Sequence, residues 1–203
     1  MFIVFEGITG SGKKTHIRLV AEKLQKLGRG VMLLNFPDYG SEIARLTRKI
    51  DLGPYASSLL FAADRARSQG RIKSLLERDN IVIIDRYCYS NFAYQSVKGV
   101  PLEWLMEIEK NIIKPDLVIL VDVPVDASIS RVQQSNIEDF TKREIMERLQ
   151  RDRERLEKIR EIYLTLAKKN KDAKWVVVDG SKDIRENHEQ IWAAVSKELG
   201  LEE

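Results

Sequence analysis

One cysteine in 203 residues excludes an intrachain disulfide. Cys88 stands beside an apolar run and reads as a small packing residue in a reducing compartment. Only two histidines occur, His16 and His188, and neither has a Cys or His partner at ligand spacing, so no zinc site is expected. No run of roughly eighteen or more apolar residues is present, which excludes an ordinary membrane-spanning helix. The chain starts on an apolar run without a charged leader, so the expectation is a cytoplasmic protein with no membrane partner. There is no Pro/Gly/Ser-rich linker, low-complexity tract or internal repeat, and residues 1–203 read as one domain. A net charge of +3 is too small to argue for a nucleic-acid partner. What is present, 43% hydrophobic and 32% charged residues, is the balance of a globular chain.

The densest signal lies near the start. Phe2-Ile3-Val4-Phe5 is followed by Gly7-Ile8-Thr9-Gly10-Ser11-Gly12-Lys13-Lys14-Thr15. Strand, glycine-rich turn and helix start, in that order, are what a phosphate cradle requires. Glycines let the backbone turn its N–H groups onto phosphate oxygens, and the following helix points its positive end at them. Lys13 adds a mobile cation. Gly7, Gly12 and Lys13 fit the spacing G-x-x-x-x-G-K-[ST] except in the last place, where Lys14 replaces a hydroxyl and Thr15 follows one residue late. Residues 7–15 are therefore expected to bind a nucleoside triphosphate.

Five β-rich runs are predicted: Phe2–Glu6, 31–36, Ile81–Asp85, Leu117–Asp122 and Lys174–Asp179. The middle three, almost wholly apolar, read as strands covered on both faces. Helical patterns at 13–27, 59–76 and 101–113 lie between them, with Pro101 expected in a first turn. This alternation predicts an α/β fold, a doubly wound, five-stranded parallel sheet flanked by helices. Its ligands sit at the carboxyl ends of strands, so Gly7, Pro37, Asp85 and Asp122 are expected around one crevice. The charged segment 141–160 reads as a solvated helix face with pairs Glu144/Arg148 and Glu147/Arg151. The polar stretch 133–140 before it is either a connector or part of a mobile lid at about 133–145, flanked by Arg131, Lys142 and Arg143.

Ile81-Val82-Ile83-Ile84-Asp85-Arg86 is an apolar strand delivering a carboxylate towards Mg²⁺ or its waters, with a guanidinium beside it suited to a phosphate. Taken with Phe5-Glu6-Gly7-Ile8, Phe36-Pro37, Leu60-Phe61-Ala62-Ala63-Asp64-Arg65, Asp85-Arg86-Tyr87 with Ser90-Asn91 and Tyr94-Gln95, Pro115-Asp116-Leu117 and Arg160-Glu161-Ile162-Tyr163, the chain resembles the thymidylate kinases, P-loop nucleoside-monophosphate kinases. The resemblance covers nearly the whole chain. It implies phosphoryl transfer from ATP, with Mg²⁺, to dTMP, giving ADP and dTDP, in a cytoplasmic homodimer. On it, Lys13, Asp85 and Arg86 are catalytic; Gly7, Thr9, Gly10, Ser11, Gly12, Lys13, Lys14 and Thr15 hold ATP. Phe36, Pro37, Phe61, Arg65, Arg86, Asn91, Tyr94 and Gln95 hold dTMP. Phe61 would stack on the base, Arg65 donate to its O4, Asn91 meet its N3 edge, and Tyr94 crowd a ribose 2′-OH. Asp85 and Thr15 would serve the metal.

Two positions depart from that pattern. The family usually has Asp where Thr9 stands and Ser or Thr where Lys14 stands. Gly10 occupies a place where one branch of the family carries a catalytic arginine, leaving Arg131, Lys142 and Arg143 as candidate transition-state cations. Three readings follow: a dTMP kinase, a kinase broadened to dUMP or UMP, or a nucleotide-binding paralogue with little transfer activity.

Overall fold

A computed structural model describes residues 1–49, 52–134 and 139–201. The strands are β1 (Phe2–Glu6), β2 (Val31–Asn35), β3 (Ile81–Asp85), β4 (Leu117–Asp122) and β5 (Lys174–Asp179). All pair in parallel, in the order β2-β3-β1-β4-β5. The helices are α1 (Lys13–Lys26), α2 (Glu42–Lys49), α3 (Gly53–Glu77), α4 (Cys88–Ser96), α5 (Leu102–Ile108), α6 (Val125–Gln134), α7 (Asp139–Arg151), α8 (Arg153–Lys169) and α9 (Ile184–Glu198). None among the described residues is long and apolar enough to cross a membrane.

The pleat divides the core in two. Phe2 and Val4 of β1, Val82 and Ile84 of β3, and Val118 and Leu120 of β4 face a cluster closed by α3, α4 and α8. Ile3, Phe5, Ile81, Ile83, Ile119 and Val121 face the opposite cluster, under α1 and α9. Strands buried on both faces need apolar residues at every position, which is why these runs lack alternation. The expected set of interior strands needs one exchange. β1 is central and fully buried, whereas β2 is an edge strand with Leu33 about half exposed. Apolarity at Leu33 misleads because buried positions are apolar but an apolar residue need not be buried.

Other boundaries also shift. α3 begins at Gly53 with Pro54 in its first turn, six residues before the expected start. Pro101 caps α5 from outside with ψ 134°, and that helix stops at Ile108. In the charged segment, α7 and α8 break at Asp152. Glu147 accepts from Arg143 at 2.8 Å, not from Arg151, whose Nε lies 3.9 Å from Asp152. The expected lid at 133–145 lies partly outside the described residues; its described ends are the last turn of α6 and the first turns of α7.

From β1 the chain crosses to the β2 edge, and from β3 it crosses to β4 on the other side. The sheet order therefore reverses beside β1, where the crevice of a doubly wound sheet opens. Glu6, Asp85 and Asp122 end their strands at this rim.

Candidate functional site

The turn after β1 can be made only with glycine at key places. Gly7 has φ +141° and Gly10 φ +78°, and an added Cβ would lie 2.5 Å from the Val121 carbonyl oxygen or 2.7 Å from that of Ser128. Gly12, left-handed at φ 98°, leads into α1 with no side-chain cap and no acidic residue in the first turn. The Lys13 and Lys14 N–H groups are thus left for a ligand at the positive end of the helix, that of Thr15 donating to the Gly12 carbonyl at 3.1 Å. Lys13 folds back over the loop: its Nζ donates to the carbonyls of Gly7 and Ile8, both at 2.9 Å, and to Ser11 Oγ at 3.4 Å. It is buried, and burial, aided by the Arg86 charge, pushes its pKa down to about 7 against the pull of Asp85 and Glu6. Lys14 points to solvent and Thr15 is half-buried.

At the end of β3, Asp85 keeps one buried oxygen, Oδ1, without a partner. Arg86 adopts φ +67°, uncommon for a side-chain-bearing residue, with its N–H donating to the Phe5 carbonyl at 2.9 Å. Such a conformation costs about 1–3 kcal/mol and persists where surroundings enforce it. The guanidinium lies 5.3 Å from the Tyr94 ring centroid and donates to Ser90 Oγ at 3.1 Å. Behind it sits Glu6, fully buried. Its Oε1 accepts from the backbone N–H of Tyr87 (2.8 Å) and Ser90 (3.2 Å), and its Oε2 from Ser90 Oγ (2.7 Å) and Tyr163 OH (3.0 Å). Burial raises the Glu6 carboxyl, opposed by Arg86 and these donors. Glu6 thus fixes the first turn of α4 beneath Arg86.

A cavity of about 380 Å³ opens in front of Arg86, within the range of small-molecule sites, about 300–1,000 Å³. Each expected acceptor residue lines it: Phe36, Pro37, Phe61, Arg65, Arg86, Asn91, Tyr94 and Gln95; Thr9 reaches it from the phosphate loop. The Phe36–Pro37 bond is cis. The loop after it is held by buried Asp64, which accepts from Asp38 N–H at 2.7 Å and from Ser41 Oγ at 2.8 Å. One helical turn places Phe61 and Arg65 on the same face of α3. On α4, Asn91 Oδ1, Tyr94 OH and Gln95 Oε1 are buried without partners. Burying unmet polar atoms is costly, and three on one cavity wall mark a surface shaped for a polar ligand. Arg65 is buried rather than exposed on the helix surface; burial works against its charge, and the adjoining Glu109 carboxylate overrides that effect.

Other expected residues lie elsewhere. Arg131, on α6, donates to the backbone carbonyls of Ser11 (3.1 Å) and Gly180, tying the phosphate loop to the turn after β5. Arg143 is exposed and bonded to Glu147 within its own helix; Lys142 is half-buried. Asp122 does stand at the rim of the crevice, where its carboxylate is engaged by a fork from Arg160 at 2.6 and 2.8 Å. Sequence reasoning assigned no role to Glu6, Ser90, Glu109, Lys98, Arg155 or Tyr163. Lys98 and Arg155 line the cavity, and Arg155 also pairs with Asp152 at 2.5 Å. A glutamate directly before the glycine loop, at the end of an otherwise apolar strand, was the signal available for Glu6.

The thymidylate kinase family model matches residues 5–191. The chain is 39% identical to a Thermococcus kodakarensis protein named probable thymidylate kinase, over the full length of both. It is 40% identical to the Pyrococcus abyssi protein of the same name, with 98% of this chain and 97% of that one covered. Identity to probable thymidylate kinase 1 of Saccharolobus solfataricus is 35%, covering 97% of each. A glycine loop on a parallel sheet, a cavity beside it and this whole-length similarity agree: the chain belongs to the thymidylate kinase family.

Proposed function

We propose that the chain transfers the γ-phosphoryl group of ATP to dTMP, giving ADP and dTDP. The observation that carries this reading is the single cavity joining Phe61, Arg65, Asn91 and Tyr94 to Arg86, with Thr9 of the phosphate loop at its edge. The loop N–H groups and Lys13 hold the ATP phosphates, and Arg131 braces the loop through Ser11. Arg86 grips the acceptor phosphate. Phe61 stacks on the pyrimidine, a contact worth roughly 1–3 kcal/mol, and Tyr94 closes the space a 2′-OH needs. The work of these residues is to align acceptor and donor and to neutralise charge, with no covalent intermediate.

The unpartnered Oδ1 of Asp85 fits a hydrated Mg²⁺ carried in by ATP, with the Thr15 hydroxyl as a second candidate. When bound, that ion neutralises charge on the β- and γ-phosphates. Among the described residues no cluster of three or more His, Cys, Asp or Glu side chains makes a metal cage. We place a homodimer contact on exposed Tyr55 and Leu59 of α3 and Met106 of α5, and the protein in the cytoplasm.

Thr9 distinguishes an active kinase from an inert paralogue. It lines the cavity with a hydroxyl where the family usually has a carboxylate. In an active kinase, Thr9→Asp changes a dTMP-dependent rate that the natural chain already has, by about tenfold or less, equivalent to about 1.4 kcal/mol. Steady-state ADP release reads it. No release from the natural chain, with onset in the variant, would sink the reading.

Lys13 supplies a pH signature. With its pKa near 7, about half of the free protein lacks this charge at neutral pH. A polyphosphate restores the ammonium, so ATP binding takes up protons near pH 7 and 8, and affinity falls as pH rises through that range. The unliganded fold runs the other way: the unfolded chain binds more protons between about pH 7 and the ordinary lysine pKa, so this group's contribution to stability rises with pH there. Calorimetry in buffers of different ionisation enthalpy measures the uptake. Identical heats in all buffers would show a lysine that stays charged.

A further inference from the structure

Directly after α5 the chain turns Glu109 inward, where it is 1% exposed. It is not among the residues lining the cavity. Its carboxylate nevertheless holds two side chains that are. Arg65 of α3 docks as a fork, Nε donating to Oε2 at 3.0 Å and Nη2 to Oε1. Asn91 of α4 donates from Nδ2 to the same Oε1 at 3.0 Å and to the Ser58 carbonyl at 3.2 Å. A buried ion pair is weak evidence for stability in itself, because desolvation offsets its attraction. Its consequence here is geometric.

An asparagine amide has two orientations of nearly equal shape, distinguished by hydrogen bonding alone. Beside Asn91 stand two acceptors, the Glu109 carboxylate and the Ser58 carbonyl. Turning the amide over would set its oxygen against both and bury its NH₂ without partners. The observed orientation commits both amide hydrogens and leaves Oδ1 as an unpartnered acceptor. The same carboxylate takes Nε and Nη2 of Arg65, leaving Nη1 as the uncommitted donor of that guanidinium. One carboxylate behind the wall therefore fixes one acceptor, Asn91 Oδ1, and one donor, Arg65 Nη1, on two side chains that line the cavity. A pyrimidine with N3–H beside O4 complements that pair. Cytosine, with a bare N3 and an N4 amino group, opposes both.

We propose that Glu109 is a positioning residue that fixes the hydrogen-bond polarity of the base site, so that thymine or uracil monophosphates are taken and cytosine monophosphates refused. This rests on the reading of the cavity as the dTMP site. The test is Glu109→Gln, which preserves size and replaces one acceptor oxygen with a donor NH₂. The amide of Asn91 then has a satisfied flipped state, and the Arg65 fork loses one arm. The expected result is a kcat/KM for dTMP lower by about 10–100-fold, mainly through KM, the range of one mismatched bidentate contact. The dTMP/dCMP preference falls at least about tenfold, ATP affinity is unchanged, and Glu109→Asp restores part of the preference. In Asn91→Ala, where the amide is already gone, adding Glu109→Gln lowers the preference by less than it does in the natural chain, the remainder coming through Arg65, as expected for coupled residues. Equal losses for dTMP and dCMP in Glu109→Gln would overturn the proposal, leaving Glu109 a packing residue. If Asn91→Ala and Arg65→Ala both leave the dTMP KM unchanged, it is the cavity assignment that fails. The natural chain gives an independent reading should the variant not fold: N3-methyl-dTMP and dCMP bind at least about 30-fold more weakly than dTMP, and equal affinities would contradict a fixed acceptor at Asn91.

Discussion

Arg86→Ala is expected to weaken dTMP binding by two to three orders of magnitude and leave ATP binding almost untouched. The guanidinium lines the cavity proposed for the acceptor, over the Tyr94 ring and bonded to Ser90, whose backbone and hydroxyl are fixed by Glu6. It is therefore pre-aimed, and little ordering entropy is spent when a phosphate arrives. Removing one partner of a buried, hydrogen-bonded charge pair costs about 2–5 kcal/mol, which is the stated loss. ATP responds differently, because Arg86 lies close enough to Lys13 to lower its pKa. Without Arg86 one of the effects that lower the Lys13 pKa is gone while burial, the largest, remains, so the shift is partly relieved and ATP affinity is unchanged or slightly increased. Calorimetric titration of each nucleotide separates the two effects, and equal losses for both would remove Arg86 from the acceptor. Arg86→Lys keeps the charge without the fork and should recover only part of the affinity. Both variants retain the left-handed backbone at φ +67°, so neither gains nor loses much from strain.

Lys13→Ala carries the second large effect: kcat falls by about 10²–10³, the usual cost of removing one transition-state charge stabiliser, while dTMP affinity is retained. In the free protein Lys13 Nζ touches three loop oxygens, on Gly7, Ile8 and Ser11. Those contacts hold it over the loop, and in the proposed ATP complex the terminal phosphates replace them. Alanine loses both the cation and the brace, so ATP affinity drops as well. Lys13→Arg does not rescue, because the planar, wider guanidinium does not fit a slot that leaves the lysine 6% exposed. Single-turnover phosphoryl transfer measures the chemical step. A kcat within about threefold of the natural chain would place the transition-state cation elsewhere.

Much of this molecule is legible in its sequence. Val82, Ile84, Val118 and Leu120 are apolar because both faces of their strands are covered, so those runs stood out at once. The glycine spacing of the phosphate loop was readable for a steric reason, since Gly7 and Gly10 face carbonyl oxygens closer than a Cβ allows. The cavity residues were reached through resemblance, because nothing in their local pattern separates Phe61 or Arg65 from ordinary core and surface positions. Edge and centre could not be told apart: Leu33 at the rim and Leu120 at the middle look alike as letters. The supporting carboxylates were harder still. Glu109 follows Glu103 and Glu107 and precedes Lys110, a run that reads as a solvated helix face. Only the meeting of α3, α4 and the end of α5 turns it into the anchor of Arg65 and Asn91. Arg131 reads as a lid residue because it flanks a polar stretch. Its tie to Ser11 and Gly180 joins segments far apart in the chain, which no local pattern records.

The most direct measurement is ADP release from Mg-ATP by the purified chain with dTMP, dUMP, UMP, dCMP or no acceptor. Strong stimulation by dTMP is expected, less with dUMP, and little with UMP, whose 2′-OH meets Tyr94, or with dCMP, whose base edge opposes Asn91 and Arg65. Comparable rates with every pyrimidine would contradict the reading of that cavity. No stimulated release by any acceptor, with ATP still bound, would contradict phosphoryl transfer itself.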